Sequence, residues 1–187
     1  MQDGSFVPKW HALRVKPRHE QASATHLSAR GLERLAPTYR AICRWSDRSK
    51  QIDLPLFPGY VFCRFTKGQK LDVLTTPGVY SIVSFGGVQM PLEDDDISSI
   101  QVMTQSGLQL CPWPYLRAGD RVRIESGCLA GVFGSVIRVK DTYRVIVSID
   151  ILQRSVAVEI GRDQIRPHVP SRTPATDARE SGHNILS

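Results

Sequence analysis

Residues 54–65, with the sequence LPLFPGYVFCRF, constrain the fold of this chain more than any other stretch. Pro55 and Pro58 disfavour a helix across its first half, and Gly59 lets the backbone bend. The aromatic and β-branched run Tyr60–Phe65 is typical of a strand. Because neighbouring side chains of a strand point to opposite faces, both faces of this strand are largely apolar. We therefore expect a central strand, covered on one face by a core and on the other by a helix or a partner.

The residues before this strand predict a strand, a helix and a long hairpin. Residues 9–15 alternate as a strand, and a helix is expected over residues 18–30, ended by Gly31. Residues 38–45 predict a second strand, which turns at a polar, basic tip and returns through residues 52–54 into the central strand.

Helical and strand-like segments alternate after the central strand. We expect a short helix at residues 70–75, a strand at 79–85 and a long helix at 91–105. The acidic run Glu93–Asp96 falls in the first turn of the long helix, where the positive end of the helix dipole explains it better than a metal site does. The pattern predicts an α+β domain whose antiparallel sheet is flanked by helices.

The pattern changes after residue 105. Short alternating strands recur between residues 121 and 160, separated by glycines, which is typical of a small β-barrel. The C-terminal segment has little apolar content and is expected to be disordered. The predicted organisation is a flexible N-terminus, an α+β domain, a linker, a β-barrel and a disordered tail, over residues 1–8, 9–105, 106–116, 117–167 and 168–187.

The positive charge lies at one end of the chain. The formal net charge is +6, and residues 1–50 hold ten Lys and Arg against four Asp and Glu, so they account for all of it. A basic face at one end suits a polyanion such as DNA or RNA, while a solvated basic surface explains the charge alone equally well.

No motif in the sequence predicts catalysis, a cofactor or a metal site. The five histidines form no HxH or HExxH pattern, and the four cysteines form no CxxC pair. Three of the cysteines lie among strand-like residues, so we expect buried thiols rather than zinc ligands. No apolar run approaches the ~20 residues of a membrane span, and the N-terminus lacks the apolar region of a signal peptide. We expect a cytoplasmic, monomeric binding protein rather than an enzyme.

Three segments, in this order along the chain, resemble the NusG family of transcription elongation factors. They are residues 10–15 (WHALRV), residues 54–65 and residues 119–134. The resemblance covers residues 9–167 and implies an N-terminal NusG domain followed by a KOW domain, which is an SH3-like barrel. The sequences of residues 55–65 and 152–156 resemble those of the specialised antiterminator paralogues of the UpxY and RfaH type.

The resemblance implies an apolar surface for RNA polymerase. In the family, a hydrophobic depression of the N-terminal domain docks onto the clamp helices of the largest polymerase subunit. Phe57, Tyr60 and Phe62 match positions in that depression, and Trp10 borders it. Aromatic side chains suit a contact with helices because each buries a large area with little entropy to lose. Arg14 stands where RfaH has an aromatic residue, so that contact differs.

The resemblance also implies a basic surface beside the first one, facing the non-template DNA strand or the nascent RNA. Lys16 matches a residue that meets the displaced strand in RfaH, and His19 is suited to stack on or hydrogen-bond a base. The alternative is a solvated basic face. The predicted nucleic-acid-binding residues are Lys16, Arg18, His19, Arg44, Arg48 and Lys50.

The third implied surface lies on the KOW barrel, where the housekeeping relative binds the termination factor Rho or a small-subunit ribosomal protein. Leu129, Ile151, Leu152 and Arg154 match its contact positions. Ile151 and Leu152 are expected to end a strand, where two adjacent apolar side chains cannot both face inward, although either one singly could plug the barrel. The β-branched run at residues 145–149 disfavours the helical, autoinhibited form that RfaH adopts.

Together these observations predict an elongation factor that binds the polymerase clamp and promotes antitermination, as a specialised paralogue. Two alternatives stay open. One is the housekeeping factor, which also acts in Rho-dependent termination. The other is a KOW-type RNA-binding or ribosome-associated module that needs no polymerase.

Overall fold

The structure is a computed structural model that describes residues 7–45, 48–115, 120–139, 142–160 and 165–167. The helices are α1 (Glu20–Ala29), α2 (Lys70–Leu74) and α3 (Asp94–Gln105). The strands are β1 (Lys9–Val15), β2 (Glu33–Leu35), β3 (Thr38–Trp45), β4 (Arg48–Pro55), β5 (Tyr60–Phe65), β6 (Val79–Ile82), β7 (Ser84–Phe85), β8 (Val88–Gln89), β9 (Leu110–Trp113), β10 (Asp120–Ile124), β11 (Phe133–Val139), β12 (Thr142–Ile149), β13 (Arg154–Ile160) and β14 (Ile165–Pro167). The expectations for residues 1–6, for the hairpin tip at 46–47 and for the tail at 168–187 lie outside the described residues.

Four antiparallel strands form the N-terminal sheet, in the order β2-β5-β1-β6. The predicted strand β5 lies inside this sheet, between β2 and β1. One of its faces packs with α1 and α2, where Leu13, Leu27, Val61 and Val73 are fully buried. The prediction of a central strand covered on both faces is confirmed, and this face is covered by two of the protein's own helices.

The predicted long hairpin is also present. Strands β3 and β4 pair along their whole length, from Thr38 opposite Pro55 to Trp45 opposite Arg48, and form a separate two-stranded sheet. The side chains at the far end of this hairpin, residues 43–49, lie outside the description.

The boundaries of several elements differ from the prediction. Helix α1 begins at Glu20 and not at residue 18, because a tight turn occupies residues 16–19. Helix α3 begins at Asp94, after an extended residue at its N-cap. Residues 84–89 form a small hairpin of β7 and β8 instead of extending β6. The short edge strand β2 was not predicted at all.

Six antiparallel strands form the C-terminal sheet, in the order β14-β10-β11-β12-β13-β9. Its terminal strands β9 and β14 do not pair with one another in the described part of the chain, so the predicted barrel is an open sheet here. Strand β9 lies within residues 106–116, which were expected to be a linker. Pro112 opposes Val156 in this strand, and a proline is tolerated there because β9 is an edge strand.

Helix α3 contacts both sheets. Ile97, Ile100 and Met103 are fully buried in one apolar cluster that includes residues of the N-terminal sheet and of the C-terminal sheet. The Ser99 hydroxyl accepts a 2.8 Å hydrogen bond from the backbone N–H of Phe133 in β11. The fold is α+β with antiparallel sheets, as predicted, but its two larger sheets share one apolar cluster, while a second cluster lies between the N-terminal sheet and helices α1 and α2.

Candidate functional site

A tight turn positions the segment matched to the polymerase-binding depression. The N–H of Tyr60 donates to the carbonyl of Phe57 at 3.0 Å, Pro58 follows Phe57, and Gly59 has φ +81°. Proline followed by a residue with positive φ is the pattern of a type II turn, which explains the need for glycine. The turn is held to α1, because the Gly59 N–H donates a 2.7 Å hydrogen bond to the buried carboxylate of Glu20.

The structure brings the four predicted polymerase-binding residues together as an aromatic cluster of Trp10, Phe57, Tyr60 and Phe62. Phe57 and Phe62 are fully buried and meet edge to face, with ring centroids 5.0 Å apart. Trp10 is also buried, and Tyr60 is half-buried. The cluster belongs to the core that α3 and the C-terminal sheet share. Three of its four members are therefore inaccessible in this conformation.

The first group of predicted nucleic-acid-binding residues forms a second tight turn, the basic turn Lys16–His19. The His19 N–H donates to the Lys16 carbonyl at 3.0 Å, and the Lys16 N–H donates to the carbonyl of Gly78 at 2.8 Å. Lys16, Arg18 and His19 are all exposed. Arg18 has φ +64°, a conformation in which a side chain other than glycine is strained. Such strain is concentrated at functional sites.

The second basic group lies at the end of the hairpin, in a different sheet. Arg44 lies opposite Ser49, and Lys50 lies opposite Cys43. Lys50 is exposed, and the side chains of Arg44 and Arg48 fall outside the described part. The structure places the two basic groups on separate elements, the β1–α1 turn and the β3–β4 hairpin.

The residues matched to the KOW contact positions are mostly turned inward. Leu129 is 1% exposed and Leu152 is 8% exposed. Ile151 is half-buried and packs against the same cluster. The expectation that Ile151 and Leu152 cannot both face inward is wrong, because residues 150–152 form a 3-10 turn in which side chains do not alternate as in a strand.

Arg154 is the exposed member of this group. Its guanidinium carbon lies 5.6 Å from the centre of the Tyr60 ring, a cation–π contact that joins the C-terminal sheet to the N-terminal sheet. Sequence reasoning did not predict that residues from two of the implied surfaces would contact one another.

The titratable groups of the N-terminal sheet show the effect of burial. Burial, with a smaller contribution from the charge of Glu33, raises the pKa of the Cys63 thiol to about 12. Burial lowers the pKa of His11, whose ring lies 4.5 Å from that of Phe65. Cys128 is exposed. Within the described residues, no group of His, Cys, Asp and Glu is arranged to hold a metal ion, and no helix is long and apolar enough to span a membrane.

Comparison with known proteins defines the class of this chain. Residues 8–101 match the family model described as transcription termination factor nusG. The transcription termination/antitermination protein NusG of Staphylococcus carnosus is 30% identical over 125 residues, which cover 63% of this chain and 68% of that protein. The corresponding protein of Staphylococcus aureus is 33% identical over 116 residues, covering 58% and 63% of the two chains.

A solved structure that is similar to this chain is described as "Domain interaction in Thermotoga maritima NusG", with a TM-score of 0.47, 20% identity and coverage of 86% of this chain and 97% of the other. The matched family model covers half of the chain, from the first strand into α3. The chain belongs to the NusG family.

Proposed function

We propose that this protein is a transcription elongation factor that binds the clamp helices of RNA polymerase through the aromatic cluster. The observation that carries the proposal is the gathering of Trp10, Phe57, Tyr60 and Phe62 on one face of the N-terminal sheet, in the segment that resembles the polymerase-binding depression of the family. Four aromatic residues on one face provide the large apolar area that a docked pair of helices requires. Binding would raise processivity by holding the polymerase clamp, without chemistry by the factor itself.

Polymerase binding requires the C-terminal sheet, which together with α3 covers the aromatic cluster, to move away. We call the C-terminal sheet in this position the cover. Among the described residues, three polar contacts connect the C-terminal part of the chain with helix α3 and the N-terminal strands. They are the stacking of Arg154 on Tyr60, the hydrogen bond from Phe133 N–H to Ser99, and a 3.0 Å hydrogen bond from the Gln109 side chain to the carbonyl of Arg40. Each of these contacts contributes on the order of 1 kcal/mol, so a substitution at one of them would weaken the covered state by a measurable amount.

The basic turn supports a nucleic-acid contact beside the polymerase. Lys16, Arg18 and His19 are exposed on a turn whose backbone is hydrogen-bonded to Gly78. The two cations Lys16 and Arg18 suit phosphates of the non-template DNA strand or of the nascent RNA. Lys50 and the neighbouring arginines of the hairpin would extend this contact.

The C-terminal sheet would then serve as the partner-binding part of the factor. Once it leaves the N-terminal sheet, Arg154 and the half-buried Ile151 become available to Rho or to a small-subunit ribosomal protein. A housekeeping role in termination is the second candidate, because the similar staphylococcal proteins carry the name termination/antitermination protein. An operon-specific antiterminator would not support Rho-dependent termination, so a transcription assay on a Rho-dependent template separates the two roles.

The test of polymerase binding is retention of core RNA polymerase by the immobilised full-length chain. Tyr60→Ala is the variant of choice, because Tyr60 is only half-buried and its loss does not empty the core. Phe85→Ala is the matched control, since Phe85 is an aromatic residue that is 80% exposed on the β7–β8 hairpin. We expect Tyr60→Ala to lose polymerase and Phe85→Ala to keep it.

A second variant tests the role of the cover. Ser99→Ala removes the acceptor for the Phe133 N–H and weakens the contact between α3 and the C-terminal sheet. We expect it to retain more polymerase than the wild type. If neither the wild type nor Ser99→Ala retains polymerase, the proposed clamp contact is refuted.

A further inference from the structure

A cleft of about 460 Å³ opens between the N-terminal sheet and the C-terminal sheet. Its walls include Arg14, Tyr60, Tyr80 and Ser81 from the N-terminal sheet and Arg154 from β13. None of the nine described residues that line it is acidic. Within the described part of the chain, neither arginine forms an ion pair with a carboxylate. The cleft therefore carries two positive charges that no carboxylate of its own walls balances.

A β-bulge shapes one wall of the cleft. Arg14 pairs with Ser81, but the next residue of β1, Val15, pairs with Val79, so Tyr80 is an extra residue in β6. In a regular strand Tyr80 and Ser81 would point to opposite faces. The bulge allows both to line the cleft, which is how bulges re-aim side chains next to functional sites. Tyr80 remains 62% exposed, so core packing does not account for its orientation.

The side chains of the cleft match the two parts of a nucleotide. Guanidinium groups bind phosphate oxygens with paired hydrogen bonds, and tyrosine rings stack on planar bases. Arg154 already lies over the ring of Tyr60, which orients its guanidinium group, while the ring of Tyr80 is open to solvent. The volume falls in the range of roughly 300–1,000 Å³ that is usual for small-molecule sites.

We propose that this cleft binds a nucleotide, with the phosphates held between Arg14 and Arg154 and the base stacked on Tyr80. The ligand is a free nucleotide, which presents both a phosphate and a ring. The proposal rests on the geometry of the cleft alone and does not depend on polymerase binding. Because the ligand contacts both sheets, its binding would also raise the melting temperature of the protein.

The experiment is a calorimetric titration of the full-length chain with ATP, pyrophosphate, adenosine and a single-stranded thymidine oligonucleotide. We expect ATP to bind at least about tenfold more tightly than pyrophosphate or adenosine, because only ATP engages both the arginines and Tyr80. Arg14→Ala and Arg154→Ala should each weaken that binding about tenfold. Tyr80→Ala should weaken ATP binding and leave pyrophosphate binding unchanged.

Arg34→Ala is the matched control, because Arg34 is an exposed arginine on β2 that does not line the cleft. Arg14→Lys and Arg154→Lys, which keep the charge but lose the paired hydrogen bonds, replace any alanine variant whose circular dichroism melt shows unfolding. Tighter binding of ATP than of the oligonucleotide supports a free nucleotide as the ligand, whereas tighter binding of the oligonucleotide would overturn it, because the basic turn alone accounts for binding of a strand. The proposal is overturned if no probe saturates the chain, or if Arg34→Ala weakens binding as much as Arg14→Ala does.

Discussion

Gly78 packs so closely against α1 that its replacement by alanine gives a quantitative test of the structure. Gly78 has φ +87°, and a Cβ atom built on it would clash with the hydroxyl oxygen of Ser23. Gly31 has a similar φ of +74°, but a Cβ there would meet nothing within 4 Å. Gly31→Ala should therefore cost only the backbone strain, about 1–2 kcal/mol. Gly78→Ala should cost that strain plus about 1–3 kcal/mol of overpacking.

Removing the hydroxyl of Ser23 should relieve the clash that Gly78→Ala creates. This hydroxyl is buried without a hydrogen-bond partner, so Ser23→Ala should leave the free energy of unfolding unchanged or raise it by up to about 1 kcal/mol. In Ser23→Ala/Gly78→Ala the close atom is gone, and the next nearest, the Ser23 Cβ, lies at 3.6 Å, an ordinary contact. The double variant should then cost about as much as Gly31→Ala.

Urea denaturation of the four variants measures this difference as a coupling energy of about 1–3 kcal/mol between Ser23 and Gly78. Equal losses for Gly78→Ala and Gly31→Ala would refute the close packing of the loop after α2 against α1. Additive effects of the two substitutions at Ser23 and Gly78 would refute it as well, since the clash would then involve some other atom.

Two further predictions concern the strained turn and the buried thiol. Arg18→Gly should leave the free energy of unfolding unchanged or raise it by up to about 1 kcal/mol, because glycine relieves the strain at φ +64°. The same substitution should weaken single-stranded DNA binding and lower the salt dependence of that binding by about one phosphate contact. Arg18→Lys keeps the charge and should bind DNA normally. The pKa of Cys63 is raised from 9.0 to about 12 in the folded protein, so its contribution to stability is complete below pH 9 and is lost as the pH rises towards 12. Above pH 9 the free energy of unfolding should therefore fall by up to about 1.4 kcal/mol per pH unit more steeply in the wild type than in Cys63→Ala, and equal slopes would contradict the burial of this thiol.

The central strand shows how much of the fold the sequence determines. The alternation of Tyr60–Phe65 predicts two apolar faces, and the structure has both faces covered. Apolar side chains at every second position of a strand indicate that a face is buried, but they do not indicate which element covers it. The helices α1 and α2 were predicted near this strand, whereas the contact with the C-terminal sheet joins residues almost a hundred positions apart and leaves no local signal.

The two tight turns show the same limit at the candidate site. The pair Pro58–Gly59 predicts a turn at this position, because proline and glycine supply the two φ values that the turn requires. The basic turn has the same form with Arg18 in the place of glycine, and no propensity predicts positive φ for arginine. Its charge could be predicted from the sequence, but its strain could not. The bulge at Tyr80 likewise depends on pairing with β1 and has no signature in β6 itself.

The burial of the aromatic cluster has an energetic reason that links the fold to the proposed function. A face carrying Trp10, Phe57 and Phe62 would expose several hundred Å² of apolar surface if it were left open, which free proteins avoid. Helix α3 and the C-terminal sheet bury this face within the free protein, and polymerase would bury it in the proposed complex. If opening costs about 2.7 kcal/mol, about 1% of the free protein is open and the apparent affinity for polymerase falls about a hundredfold. The contacts of Arg154 and Ser99 are then the places where a substitution raises polymerase affinity without touching the polymerase.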